Sequence, residues 1–344
     1  MNDESFIWGN LLHFGTRCWG DDGLTHGVHS YSKKPPEPPK DALKFDEKVW
    51  RRLTDATRKA GGNLVLIDVM EGLRYRKHPE LSVSDSWTPE RLNAEVRRLK
   101  AMGLEPIPKL NFSTTHDNWL GIYHRMVGTP EYYDVCASAI AEVAEVFEKP
   151  RLFHIGMDEE DYDQTNCFTG YGVFRRGEMW WHDVNFYARC VEKAGCRTWM
   201  WNDYMRSWED DFVRNCPKSI VQSAAYYKFG FDVYPDSDEK GAEWFWKTQL
   251  RLMRRLNELG YDQIPCSSNH YEPGSFAGLV EWCDANLADR KRLLGYLMAS
   301  WEFSVPGSCE EKNIAAIAEL SVAKKLRRLR LGRAAGLKDG FLMK

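Results

Sequence analysis

The chain has 344 residues, a formal net charge of -3, 28% charged residues and 43% hydrophobic ones. That is a soluble globular balance with enough apolar mass for two ordinary domains or one large α/β barrel, and it lacks the basic excess of a nucleic-acid binder. Nine cysteines form an odd set with no C-x-x-C pair, which reads as free thiols rather than a zinc ribbon or a disulfide framework. The opening "MNDESFIWGNLLHF" shows neither a basic n-region nor a long apolar h-region, and no window reaches the length of a membrane span. The expectation is a cytoplasmic protein with no membrane and no nucleic-acid partner.

Short β-rich apolar runs alternate with longer amphipathic stretches along the whole chain. The first strand is expected at 11–19, followed by a Pro-rich loop at 33–41 and a helix in "FDEKVWRRLTDATRKAGG". Strands at 63–70 and 105–112 flank "TPERLNAEVRRLKAMG", which has a Thr cap, a proline at the first helical position and a terminal glycine. The same opening recurs in "TPEYYDVCASAIAEVAEVFEK" ahead of a strand at 151–157. Strands at 197–203, 219–227, 263–271 and 295–303 complete the set, with a short fifth helix in "SWEDDFVRN" and two long ones in "KGAEWFWKTQLRLMRRLNELG" and "EEKNIAAIAELSVAKKLRRLRLG". Eight strands, each followed by a helix or a shorter substitute, give the count of a (β/α)8 TIM barrel of α/β class. A doubly wound sheet is disfavoured because no G-x-G-x-x-G turn follows the first strand. The expected organisation is one barrel domain over residues 1–344, with the last helix and tail at 309–344. The basic run at 324–333 reads as a solvated helix face.

In such a barrel the active site is built at the C-terminal ends of the strands. Those ends offer Arg17 and Trp19, then Asp68, Glu71 and Arg74, then Lys109, Asn111, His116, Asp117 and Trp119. Further on come His154, Asp158 and Glu159, then Trp199, Trp201, Asn202 and Asp203, then Tyr226 and Tyr227, and finally Asn269, His270, Tyr271, Glu272, Trp301 and Glu302. Carboxylates and a guanidinium can hold sugar hydroxyls through charge-assisted hydrogen bonds, while indole and phenol rings cover the apolar face of a sugar. The absence of a glycine-rich phosphate loop weakens a phosphosugar reading.

The stretch "HIGMDEE" at 154–160 resembles the H-x-G-G-D-E signature of glycoside hydrolase family 20, the β-N-acetylhexosaminidases. His154, Gly156, Asp158 and Glu159 match it, and Met157 stands where the family has glycine. Arg17 is similar to the family arginine that binds ring hydroxyls, and Trp201 and Asp203 to its strand-five W-x-E/D. Tyr271 resembles the strand-seven tyrosine that supports the acetamido group, and Trp301–Glu302 the strand-eight W-x-E, here adjacent. The likeness runs from about residue 11 to about 305, only the strand-four motif is specific, and the family includes single-barrel members such as the dispersin type. The family's strand-seven Y-x-D reads Tyr271–Glu272–Pro273 instead.

This resemblance implies removal of terminal β-linked N-acetylhexosamine by a substrate-assisted retaining mechanism, without cofactor or metal. Asp158 and Glu159 are the implied catalytic residues; Arg17, His154, Trp201, Asp203, Tyr271, Trp301 and Glu302 are the implied substrate-binding ones. Glu159 would protonate the leaving oxygen, so burial and the Asp158 carboxylate should raise its pKa. Asp158 would stay ionised, orient the acetamide and stabilise the oxazolinium, with Tyr271 on the acetamide oxygen. Glu160 and Asp161 read as loop residues. The partner is a carbohydrate, an oligosaccharide or glycoconjugate, and no oligomeric state is assigned.

Three rivals stay open. A two-carboxylate retaining glycosidase would pair Glu159 with Glu272 on sugars lacking the acetamido group. A metal-dependent barrel would use His13, His154, His270 and nearby Asp residues, though the histidines show no local ligand motif. A carbohydrate-binding barrel without turnover would keep the aromatic residues and Arg17.

Overall fold

A computed structural model describes residues 6–18, 41–160, 173–228 and 242–334, the side chains of 242–244, 333 and 334 excepted. Trp19, residues 33–40 of the Pro-rich loop, Asp161, Cys167 and the tail from 335 lie outside the described residues. In chain order the elements are β1 (Ile7–His13), α1 (Glu47–Lys59), β2 (Leu64–Asp68), α2 (Pro89–Ala101), β3 (Glu105–Lys109), α3 (Pro130–Val146), β4 (Leu152–His154) and α4 (Glu178–Lys193). They continue with β5 (Arg197–Trp201), α5 (Tyr204–Ser207), α6 (Glu209–Asn215), β6 (Val221–Ser223), α7 (Ala242–Glu258), β7 (Cys266–Ser267), α8 (Ser275–Asn286), β8 (Gly295–Phe303) and α9 (Ser308–Ala334).

The sheet order is β6-β5-β4-β3-β2-β1-β8-β7. Every strand therefore lies beside its neighbour in sequence, as strand–helix–strand crossovers dictate, and the ladders of β3 with β4, β4 with β5, β5 with β6 and β7 with β8 are parallel. This is the expected (β/α)8 TIM barrel. The strands are buried along their lengths: β1, β2, β4 and β6 carry no exposed residue. Burial on both faces is why they read as continuous apolar runs rather than alternating ones.

Helix starts follow the capping chemistry in the sequence. Asp46, Thr88 and Thr129 each accept a hydrogen bond from the third residue beyond, and Pro89 and Pro130 occupy first helical positions where no donor is needed. The weak fifth helix is the seven-residue α6. The first strand lies earlier than 11–19. The amides of Phe14 and Gly15 both converge on the Asp68 carbonyl, which ends the regular ladder at His13 and leaves Arg17 in a turn beyond it.

Two compact units make up the chain. One comprises Met1–Leu12, Asp46–Val65 and Ala224–Lys344. Its core joins Phe6 and Trp8 of the N-terminal segment to Tyr226, Trp246, Phe276, Leu279, Tyr296 and Leu320. The other comprises His13–Phe45 and Leu66–Ser223. Its core includes Phe112 stacked on Tyr187 at 4.5 Å and Trp180 stacked on Tyr204 at 3.9 Å. Each such large aromatic contributes about 1.5–3 kcal/mol by leaving water.

Candidate active site

The strand-four motif lies in the second of these units, and the register there explains its geometry. Lys109 pairs with His154 and His154 with Trp199, so the segments after β3, β4 and β5 leave the sheet side by side. Backbone pairing continues beyond β4: the Phe112 amide donates to Ile155 and the Trp201 amide to Gly156. The chain then turns. Gly156 and Met157 both have φ of 74°, and Glu159 has φ of 58°, all in the left-handed region. At Gly156 the backbone passes so close to Asn111 that any Cβ would overlap its Oδ1, so glycine is required for space as well as for φ.

Asn111 ties the turn together. Its Oδ1 accepts from the amides of Ser113 (3.1 Å) and Met157 (3.3 Å), and its Nδ2 donates to Asp158 Oδ1 at 2.8 Å. The Asp158 carbonyl accepts from the hydroxyls of Ser113 and Thr115. Asp158 is thus fixed from both ends.

His116, on the loop after β3, faces both carboxylates. Its Nε2 is 3.5 Å from Glu159 Oε2 and 4.0 Å from Asp158 Oδ2, while its Nδ1 is 2.8 Å from the Thr115 hydroxyl. The Glu159 amide donates to Asp203 Oδ2 at 3.2 Å, and Asp203 Oδ1 lies 3.7 Å from buried Arg206. Burial pushes the Glu159 carboxyl up to about 7; the Asp158 and Asp203 charges add to the rise, against His116 and Arg206. Its side chain nevertheless keeps 40% of its surface open, so a ligand can reach it.

Behind this pair lies a buried ionic row. Asp68 receives Lys109 Nζ at 2.5 Å and His13 Nδ1 at 2.8 Å. Burial alone would raise the Asp68 pKa, but Lys109 and His13 outweigh it and hold the carboxylate below its usual range. His154 packs between Trp199 and Trp201, with ring centroids 4.9 and 4.7 Å away, and its Nδ1 accepts from the Gly156 amide at 3.0 Å. Burial, and next the Lys109 charge, push its pKa well down, so it is a neutral imidazole carrying its proton on Nε2. Trp201 is buried too. Arg17 enters through its backbone: its amide meets both oxygens of buried Glu71, at 3.1 and 3.2 Å, and the Thr16 amide donates to Oε1 at 2.7 Å.

Glu160 lies in the loop that follows β4, but not as a solvated residue. It is buried, bonds the Thr114 amide at 2.6 Å and forms a two-point ion pair with Arg175. Arg175 also reaches Asp183 (2.9 Å), the Tyr187 hydroxyl (2.9 Å) and the Phe112 carbonyl (2.7 Å). The fourfold anchor forms because one guanidinium satisfies two buried carboxylates at once. Neither Arg175 nor Asp183 figured among the strand-end candidates; both lie in the segment leading into α4 and on α4 itself, where only the pairing in space marks them.

Tyr271, Trp301 and Glu302 lie in the other unit. Tyr271 is 56% exposed and stacks on Tyr227 at 6.3 Å, with Lys228 Nζ 5.3 Å from its ring and Trp301 6.2 Å from Tyr227. Lys228 also pairs with Glu272 at 3.0 Å. Trp301 has φ of 61°. Glu302 pairs with Lys312 at 2.6 Å; burial works against ionisation, but Lys312 and its neighbours hold the carboxyl below its usual value. Among the described residues no three His, Cys, Asp or Glu side chains gather as a metal site would require, and no helix is long and apolar enough to cross a membrane.

No family model and no curated protein matches the sequence. Solved structures do match by fold. The Flavobacterium johnsoniae chitobiase of family 20 aligns with a TM-score of 0.58 at 16% identity, over 91% of this chain and 48% of the chitobiase. The Vibrio harveyi family 20 exo-β-N-acetylglucosaminidase, solved with N-acetylglucosamine, gives 0.55 at 12% identity over 96% and 58%. Dispersin B gives 0.54 at 15% identity over 81% of this chain and 95% of its own. The chain thus spans about half the length of the first two and nearly all of the third. At such identities the likeness is one of fold, and the fold is that of the family 20 catalytic barrels.

Proposed function

We propose that the protein is a glycoside hydrolase that removes terminal β-linked N-acetylhexosamine with the substrate's own acetamido group as nucleophile. The observation that carries the reading is the pairing at the end of β4: a Glu159 carboxyl that holds its proton to about pH 7, beside an Asp158 clamped by Asn111. In the first step the acetamido oxygen bonds to the anomeric carbon, the glycosidic bond breaks, and Glu159 gives its proton to the departing oxygen. Asp158 receives the acetamide N–H and faces the positive charge that develops on the ring so formed. Water then attacks the anomeric carbon, breaking its bond to the acetamido oxygen so that the acetamide is restored, and gives a proton to Glu159. Barrels similar in fold that were solved with N-acetylglucosamine support this substrate class. So does the exposed Tyr271 ring with Tyr227 and Trp301 near it, the kind of surface that covers a sugar's apolar face.

A panel of aryl β-glycosides with and without the 2-acetamido group, assayed with wild type, Asp158→Asn, Glu159→Gln and Glu272→Gln, tests the reading. The N-acetyl substrates should be cleaved fastest, both motif variants should be crippled, and Glu272→Gln should keep turnover. Faster cleavage of plain glucosides together with loss on Glu272→Gln would establish the two-carboxylate alternative. Saturable sugar binding with no cleavage by wild type would establish a binding barrel.

A further inference from the structure

The outward face of α9 carries an apolar line that the described residues of its unit leave uncovered. Ile314 is 39% exposed, Val322 53% and Leu326 42%, with Ala315 and Ala318 exposed among them. These positions recur at three- and four-residue spacing, so they share one side of the helix, opposite the buried Ala316, Leu320 and Ala323. Single exposed apolar residues need no explanation, but a line of five on one helix face does.

Charge along the same face is polarised. Glu311 stands at its N-terminal end and Lys325 toward its C-terminal end; both are exposed, and neither pairs with a described residue. The neighbouring charges are already engaged: Glu310 with Arg52, Lys312 with Glu302, and Arg327 and Arg330 with Asp284. A face that is acidic at one end, apolar in the middle and basic at the other complements itself when turned end for end.

We propose that α9 is a homodimer contact, in which two copies pack their α9 helices antiparallel about a two-fold axis near Leu320. In that register Ala318 meets Val322 of the partner subunit, and Ile314 meets the partner's Leu326. The small side chains at 315 and 318 admit the partner's larger ones. At about 1.5 Å per residue, Glu311 lies about 6 Å along the axis from the level of the partner's Lys325, within reach of two long side chains. The two-fold axis makes each such pair twice. A single helix pair buries on the order of 1,000 Å² or less, which places the dimer at the weak end of specific interfaces.

Sedimentation velocity of the full chain over about 1 to about 200 µM should show a concentration-dependent monomer–dimer equilibrium. Val322→Glu and Leu326→Glu should shift it at least tenfold toward monomer while circular dichroism and hydrolytic activity stay at the wild-type level. Glu311→Lys and Lys325→Glu should each weaken association, and the double exchange should restore it, because the exchanged charges meet again only in the antiparallel arrangement. A monomer throughout the range overturns the proposal. So does a dimer indifferent to the apolar substitutions, or a double exchange no better than its parents.

Discussion

Met157 offers a sharp test of the strand-four geometry because two physical demands conflict there. Its φ of 74° suits glycine, whereas its side chain is fully buried. A left-handed backbone costs a side-chain-bearing residue about 1–2 kcal/mol, and removing a buried methionine side chain down to alanine costs about 2–5 kcal/mol. Met157→Ala should therefore lose the packing and keep the strain. Met157→Gly loses slightly more packing but sheds the strain, and at a positive φ glycine outranks alanine by about 1 kcal/mol. The expected order is wild type, then Gly, then Ala, with Gly about 1–4 kcal/mol below wild type. Elsewhere in a fold alanine is normally the better of the two. Urea unfolding followed by tryptophan fluorescence, with unchanged slopes, would read the order from the midpoints. An alanine variant as stable as the glycine one would refute the strain argument. A glycine variant more stable than wild type would show that the packing of the Met157 side chain is worth less than the backbone strain it carries.

Gly156→Ala should be more damaging still, because its Cβ would displace Asn111 and with it the Asp158 clamp; a loss of at least about a hundredfold in kcat/KM is expected, with a lower urea midpoint. Glu159 must be protonated to act as acid, so kcat/KM should fall about tenfold per pH step above about 7, and Glu159→Gln should lose about 10²–10⁴-fold together with that limb. The same raised pKa works against folding: wild type loses stability as pH rises from about 4.5 to about 7, so Glu159→Gln should gain on wild type across that window and be indistinguishable from it at about pH 4, measured by urea midpoints. Arg175→Ala should cost about 3–5 kcal/mol by stranding Glu160 and Asp183. The deficit should shrink in a Glu160→Gln, Asp183→Asn background, where no carboxylate is left stranded; an unchanged deficit there would show that packing, rather than charge, is what Arg175 supplies.

The barrel was legible because its signals are local. Asp46, Thr88 and Thr129 announce their helices within four residues, and fully buried parallel strands leave continuous apolar runs. Strand ends were less legible for the same reason: a run buried on both faces carries no alternation to mark where pairing stops. The run at 151–157 contains a strand of three residues, Leu152–His154, and the rest of it is the turn that builds the site. His116 and Asn111 stood among the strand-end candidates, but their partners did not, since nothing in the spacing of 111 and 158 signals an amide on a carboxylate. The burial of Glu160 within its loop was not legible, because a block of four acidic residues resembles a solvated turn. Its counter-charge lies 15 residues further along the chain, at Arg175, and only folding brings the two together.

The sequence "GMDEE" also raises a geometric difficulty that the left-handed turn resolves. Adjacent residues of an extended strand point to opposite faces, so Asp158 and Glu159 could not serve one reacting centre if β4 ran on through them. They do face one imidazole, His116, at 4.0 and 3.5 Å. The positive φ values at 156, 157 and 159 bend the chain enough to bring both carboxylates to that side, and Asn111 holds the bend by accepting from the Met157 amide while donating to Asp158. Once two carboxylates share one side, the Asp158 charge adds to the burial that raises the Glu159 pKa. The conformation that lets methionine stand in place of glycine at 157, strained but packed, is therefore the same one that gives Glu159 its raised pKa and Asp158 its fixed orientation.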